Sequence, residues 1–226
     1  PGKTLNSPDQ DACYQIGANL AKIHKFSKGY PLSRKNHRWF DWWESKVDVV
    51  KTLIPRDQKT ILESQIERTK ELFRSYKALP KGLIHGDLFK DNALFLENRL
   101  SGIIDFYNAC EGLFIYDLTI AVNDWCSLNN GKLDVMKTCS LITGYESIRT
   151  LTIEEIELWP LVIETAAFRF WMLRLVALWK KKRGGVDAPP HVKDPAPFLK
   201  ILINRRRDPQ TELIKCNETS AKSGLL

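Results

Sequence analysis

The segment His85-Gly86-Asp87-Leu88-Phe89-Lys90-Asp91-Asn92 sets a carboxylate and a side-chain amide five positions apart, directly after a short apolar run. This is the spacing of a phosphoryl-transfer loop. At such a spacing Asp87 would accept or orient the proton of a substrate hydroxyl, and the amide oxygen of Asn92 would ligate magnesium. Alone the match is unspecific, because His, Asp and Asn also form ordinary turns. A second carboxylate, Asp105, ends the run Ile103-Ile104-Asp105-Phe106 eighteen positions after Asp87. A two-stranded return of that length brings Asp105 back beside the loop, where it is suited to hold magnesium against nucleotide phosphates. Asp117 follows twelve positions later, in Tyr116-Asp117-Leu118 at the start of a helical run, where a carboxylate favours the helix dipole. From the residues alone that position reads as structural.

The elements that must carry these residues follow from hydrophobic period. A helix capped near Ser7 and ending before Gly29 is predicted from Cys13, Ile16, Ala18, Leu20, Ile23 and His24. Trp39, Phe40, Trp42 and Trp43 open a second helix with an aromatic face suited to packing, and Asp57 to Tyr76 form a third. Then the pattern changes. Leu83 to His85, Ala93 to Leu96 and Gly102 to Asp105 are short apolar pieces parted by polar turns such as Glu97-Asn98-Arg99, and they read as three strands. From Tyr116 onward helical spacing returns, over about Tyr116 to Leu128, Leu133 to Ser147, Ile153 to Lys181 and Pro195 to Asn204. The fold class is therefore mainly α with a small β insert (α+β), and the chemistry belongs on the loops of the insert. Residues 1–208 are expected to form one helical lobe with its functional strands near 83–106, and 209–226 a disordered tail.

Composition narrows the class. With 226 residues, 43% of them hydrophobic, the chain can bury one substantial core. The net charge of +7 includes two short basic runs, Lys180 to Arg183 and Arg205 to Arg207, which read as solvated faces because no aromatic residues interleave them as in a nucleic-acid patch. Five widely spaced cysteines with no Cys-x-x-Cys pair fit reduced thiols in the cytoplasm, not a zinc site or a disulfide frame. No secretory signal is visible at the start. Leu158 to Trp179 is long and apolar, but Glu164, Arg169 and Arg174 inside it are costly in hydrocarbon, so a buried helix in a protein without membrane partners is expected.

Taken together, HGDLFKDN, IIDFYNAC and YDLTIAVNDWC resemble the catalytic and metal-binding segments of the aminoglycoside-phosphotransferase-like kinases. Within that superfamily the wording is similar to its homoserine kinase branch. FDWW, AAFRFWMLRL and KDPAPFLKIL extend the likeness over nearly residues 1 to 207. The resemblance implies the C-terminal lobe of a protein-kinase-like fold, ATP and Mg2+ as cofactors, and phosphorylation of the homoserine side-chain hydroxyl in threonine synthesis. It also implies that Asp87 is the catalytic base, that Asn92 and Asp105 hold magnesium, and that His85 and Asp117 brace the loop. Lys90 either touches a phosphate or is merely solvated. For the substrate, Arg169 or Arg174 are candidates for the carboxylate, and Tyr107, Asn123 and Asp124 for the ammonium; the alternative for each is an ordinary salt bridge. One departure stands out. No strand-bounded glycine-rich loop precedes Asp87, so the chain is expected to be a fragment whose partner is the missing N-terminal lobe. Two further readings remain open: a related kinase acting on an aminoglycoside, choline or methylthioribose, and a non-catalytic binding module of the same fold. The intact Asp87, Asn92 and Asp105 speak against the latter.

Overall fold

A computed structural model of the chain describes residues 2–28, 34–75, 77, 79–184 and 189–208. Its elements run α1 (Gln10–Ser27), α2 (Phe40–Glu44), α3 (Val47–Lys51), α4 (Arg56–Ser75), β1 (Lys81–Ile84), β2 (Ala93–Leu96), β3 (Arg99–Ile103), β4 (Cys110–Leu113), α5 (Phe114–Trp125), α6 (Val135–Glu146), α7 (Ile153–Arg183) and α8 (Ala196–Arg207). The architecture is mainly helical with a small β part, as the hydrophobic periods predict. The expected tail, 209–226, lies outside the described residues.

Helix starts are set by short polar side chains. Asp9, not Ser7, caps α1, its carboxylate accepting the Ala12 N–H at 2.8 Å. Asp134 caps α6 through the Lys137 N–H, and Thr152 with Glu155 forms a capping box on α7. The tryptophan-rich segment is shorter than one long helix and splits into α2 and α3. Its aromatic face does pack inward: Trp43 is fully buried and meets Phe168 of α7 edge-on, while Trp39 meets Tyr116 of α5.

Among the described residues four strands form where three were expected. β2 and β3 make one antiparallel hairpin around Glu97, whose φ of 54° places it in the left-handed region. β1 pairs instead with β4, from Lys81 opposite Leu113 to Ile84 opposite Cys110. The sequence Cys110-Glu111-Gly112-Leu113 carries only a weak strand pattern, so its pairing is decided by β1.

α1 and α6 cross at two glycines. A Cβ on Gly17 would collide with the Leu141 carbonyl oxygen, and one on Gly144 with that of Tyr14, so the two backbones touch directly. α7, continuous through Pro160, runs past α3, α4, α5 and α8 and supplies much of the core through Trp159, Phe168 and Trp171. No described helix is long and apolar enough to cross a membrane.

In the Arg205–Arg207 run Arg207 is exposed as expected, but Arg205 and Arg206 are not part of a solvated face. Arg205 is buried, donating from Nε to Asn123 Oδ1, from Nη1 to Gly131 O and from Nη2 to Ser127 Oγ. Arg206 reaches Gln65 of α4 and lies 3.8 Å from Glu164, which Arg68 also holds in a bidentate pair. These guanidiniums satisfy polar groups trapped between helices, a demand that a charge count along the chain does not reveal.

The glycine crossing generates a stability prediction. Gly144→Ala should lower the unfolding free energy by about 1–3 kcal/mol, the usual cost of overpacking a tight contact. A urea midpoint equal to that of the parent would show that α1 and α6 can part without cost.

Candidate active site

The loop after β1 is held by hydrogen bonds from three directions. Asp117 of α5, fully buried, accepts the His85 N–H at its Oδ2 and the Gly86 N–H at its Oδ1, both at 2.7 Å. Two turns along the same helix, Asp124 Oδ2 accepts the Lys90 N–H at 2.8 Å, and Trp125 donates its indole N–H to Leu88 O at 3.1 Å. Positions 117, 124 and 125 share one face of a helix, so α5 meets the loop along its length. From α7, Arg169 donates Nη1–H to Gly86 O at 2.7 Å. Gly86 itself has φ 74°, and an added Cβ would lie 3.1 Å from Asn108 O, so only glycine fits without strain.

His85 locks the loop from within. Its Nδ1 accepts the Asp87 N–H at 3.3 Å, which leaves the hydrogen on Nε2 for Ile104 O at 2.9 Å. Asn92 donates its Nδ2–H to Asp87 O at 2.8 Å, so its Oδ1 is the atom free to meet a cation. The β2–β3 hairpin returns the chain through Ile104, whose N–H bonds Asn92 O at 3.0 Å, and Asp105 follows with φ 63°. Asp105 therefore stands just past β3 in a left-handed turn, not at a strand end. Asp87, Asn92 and Asp105 line one cleft of ≈ 350 Å³, together with Arg38, Arg174 and Lys193.

Burial raises the pKa of Asp87 above the usual carboxylate value, although the charges of Arg169 and Arg38 oppose the rise. Asn108 donates Nδ2–H to Asp87 Oδ2 at 3.0 Å and fixes the carboxylate's orientation. Burial would raise Asp117 too, but the hydrogen bonds from His24 and from the Gly86 N–H oppose it, and its pKa is lowered. His24 of α1 is pushed down by its own burial, which fits a neutral ring donating Nε2–H to Asp117 at 3.1 Å and accepting the Tyr145 hydroxyl at Nδ1 at 2.7 Å. Tyr145 in turn accepts from Arg149 Nη1 at 3.1 Å, and Arg149 grips the capping-box Glu155 with both carboxylate oxygens.

The other sequence candidates are dispersed. Arg174 lines the cleft, stacked on Phe198 at 4.5 Å and donating to Asp194 O at 2.7 Å. Arg169 and Tyr107 line a second, smaller pocket beside it. Asn123 faces away: its Nδ2 donates to Ile163 O and its Oδ1 takes the Arg205 bond, so it is a helix-packing amide, not a ligand for an ammonium. Asp124 accepts the Lys90 N–H at Oδ2, and burial raises its pKa with the Lys90 charge opposing. Both Asp124 and Lys90 lie outside the residues lining either pocket. His24, Asn108, Trp125 and Arg38 were not singled out by the sequence. His24 alone left a signal, as an imidazole on the apolar stripe of a helix, where it needs a buried partner.

A cation in the cleft would meet Asn92 and Asp105. Among the described residues no group of three or more His, Cys, Asp or Glu side chains is placed to hold a metal ion. Two hard oxygen donors beside an open cleft fit magnesium, which keeps several waters and binds phosphates.

The fold and the loop have counterparts in known proteins. The chain is 37% identical over 203 residues to a homoserine kinase of Neisseria meningitidis serogroup B and 35% identical over 201 residues to one of Methylobacillus flagellatus, covering 90% and 89% of this chain. It spans 65% and 61% of the lengths of those two relatives. The structure of an amicoumacin kinase in complex with AMP-PNP, Ca2+ and Ami superposes with a TM-score of 0.59 at 16% identity, over 92% of this chain and 61% of that one. This likeness is one of fold, and it places the helical lobe and its β part among kinase-like folds. The model of the family described as phosphotransferase enzyme, APH, matches residues 1–150, which contain the loop, the hairpin and α5, so the chain belongs to the phosphotransferase enzyme family.

Proposed function

We propose that this chain carries the catalytic loop of an ATP-dependent kinase that phosphorylates the side-chain hydroxyl of L-homoserine. The observation that carries this reading is the convergence of Asp87, Asn92 and Asp105 on one cleft in a chain whose relatives are named homoserine kinase. Asp87 takes the hydroxyl proton as that oxygen forms its bond to the γ-phosphorus and the bond to the leaving ADP oxygen breaks. Asn108 and the Asp87 backbone bonds hold the carboxylate at the attacking oxygen. Asn92 Oδ1 and Asp105 would hold magnesium, which when bound neutralises charge on the phosphate oxygens. His85 and Asp117 act through the loop by fixing its backbone. Water must be kept from competing with the acceptor, and the apolar walls Phe89, Phe170 and Leu173 serve that end.

The discriminating experiment supplies the protein from its complete gene with ATP and magnesium and compares L-homoserine, choline, methylthioribose and an aminoglycoside. Homoserine should have the highest kcat/KM. Preference for another acceptor would overturn the substrate while leaving phosphoryl transfer standing.

Three outcomes are expected of the site itself. Asp87→Asn should lower kcat by about 10²–10⁴, the range for a lost general base, with ATP affinity nearly unchanged; lost ATP binding with intact turnover would assign Asp87 to the nucleotide. Asp105→Ala should raise the magnesium concentration needed for half-maximal rate, and an unchanged magnesium curve would remove it from the metal site. The base works only when ionised and its pKa is raised, so kcat/KM should fall on the acid side at a pH above that of an unperturbed Asp, about 3.9. An acid limb at or below that value would contradict a desolvated base.

A further inference from the structure

The segment from Arg34 to Arg38, just before α2, closes a second pocket of ≈ 180 Å³ against Asn108 and Arg169. The segment is tied down, since Arg34 O accepts the Glu111 N–H of β4 at 2.9 Å and the Arg34 guanidinium lies over the Tyr107 ring at 5.8 Å. Four cationic side chains, Arg34, Lys35, Arg38 and Arg169, line this pocket, and among the described residues no carboxylate does. Arg169 is 2% exposed, and its Nε is buried without a hydrogen-bond partner among the described residues. Arg38 is exposed at the mouth of the pocket, and partial burial of its charge together with the charges of Arg169 and Arg34 lowers its pKa, with Asp87 opposing. A concave pocket lined by four cationic side chains and no carboxylate suits an anion.

The position says which anion. Asn108 belongs to this pocket and also donates to Asp87 Oδ2, so the pocket opens within one side chain of the base. Asn92 and Asp105, the cation donors that nucleotide phosphates must approach, line the larger cleft instead. Arg38 alone among the cations lines both. We propose that Arg38, with Arg34 and Arg169, forms the subsite for the α-carboxylate of the acceptor and so selects a hydroxy acid over a cationic alcohol. This rests on the reading of the chain as a kinase for homoserine and assigns the acceptor's anionic end to residues of that same site. Cationic acceptors such as choline or an aminoglycoside would meet like charge here.

The test compares L-homoserine with 3-aminopropan-1-ol, which keeps the hydroxyl and the amine but lacks the carboxylate, in the protein from its complete gene. The parent should prefer homoserine, and Arg38→Met should cut that preference in kcat/KM about 10- to 100-fold, the range for a lost charge-assisted hydrogen bond. Arg38→Lys should restore part of it. An equal loss on both acceptors, or no loss on either, would overturn the subsite while leaving homoserine phosphorylation in place. A rise in KM for ATP with the homoserine preference intact would assign Arg38 to nucleotide phosphates and also overturn it. If the parent fails to phosphorylate homoserine, the substrate reading and the subsite fall together.

Discussion

The geometry of the site depends on one buried carboxylate. Asp117 has no access to solvent, and an ionised group there would be costly without compensation. Compensation comes from three donors: the N–H groups of His85 and Gly86 and the His24 imidazole. Because each donor is needed to satisfy the charge, the loop cannot move away from α5 without exposing an unpaired ion in the core. The backbone of the loop after β1 is thus positioned by the energetic demand of a buried side chain that lines neither pocket.

That demand extends outward through connected hydrogen bonds. His24 stacks on Phe114 at 4.6 Å and links Asp117 to Tyr145 of α6, Arg149 and the capping-box Glu155 at the start of α7. α1, α5, α6 and α7 therefore meet around one connected polar chain. The close α1–α6 crossing at Gly17 and Gly144 lets His24 reach Tyr145. A bulkier residue at either glycine would separate the helices that the His24–Tyr145 hydrogen bond joins. Packing and loop position are accordingly coupled.

The cleft face shows the complementary design. There the carboxylates of Asp87 and Asp105 and the amide of Asn92 are left open to the space in front of them, while the loop behind is saturated with bonds. Arg169 joins the two sides: it donates to Gly86 O behind the loop and lines the cationic pocket beside the base. A rigid backbone with side chains aimed outward is the arrangement that positioning and charge stabilisation require.

Much of this was legible in the residues. Hydrophobic period foretold a helical lobe with a β insert, because amphipathic helices bury a stripe that repeats along the chain. The spacing of Asp87, Asn92 and Asp105 foretold a shared cleft, because a short loop and a hairpin have little freedom in where they return. Asp117 was harder: the residues alone gave a helix-terminal charge, and only the likeness to known kinases suggested that it braces the loop. Tertiary structure decided what depends on partners distant in sequence. β4 exists as a strand because β1 lies beside it, Asn123 faces a neighbouring helix and not the cleft, and Arg205 is buried because Asn123, Ser127 and Gly131 need its donors. Arg38 and Arg169, 131 positions apart, become neighbours of one pocket only once α7 has folded across the segment before α2. A local pattern can fix which face of an element is apolar; it carries no information about which polar group waits on the other side, and that is settled by the packing of the whole lobe.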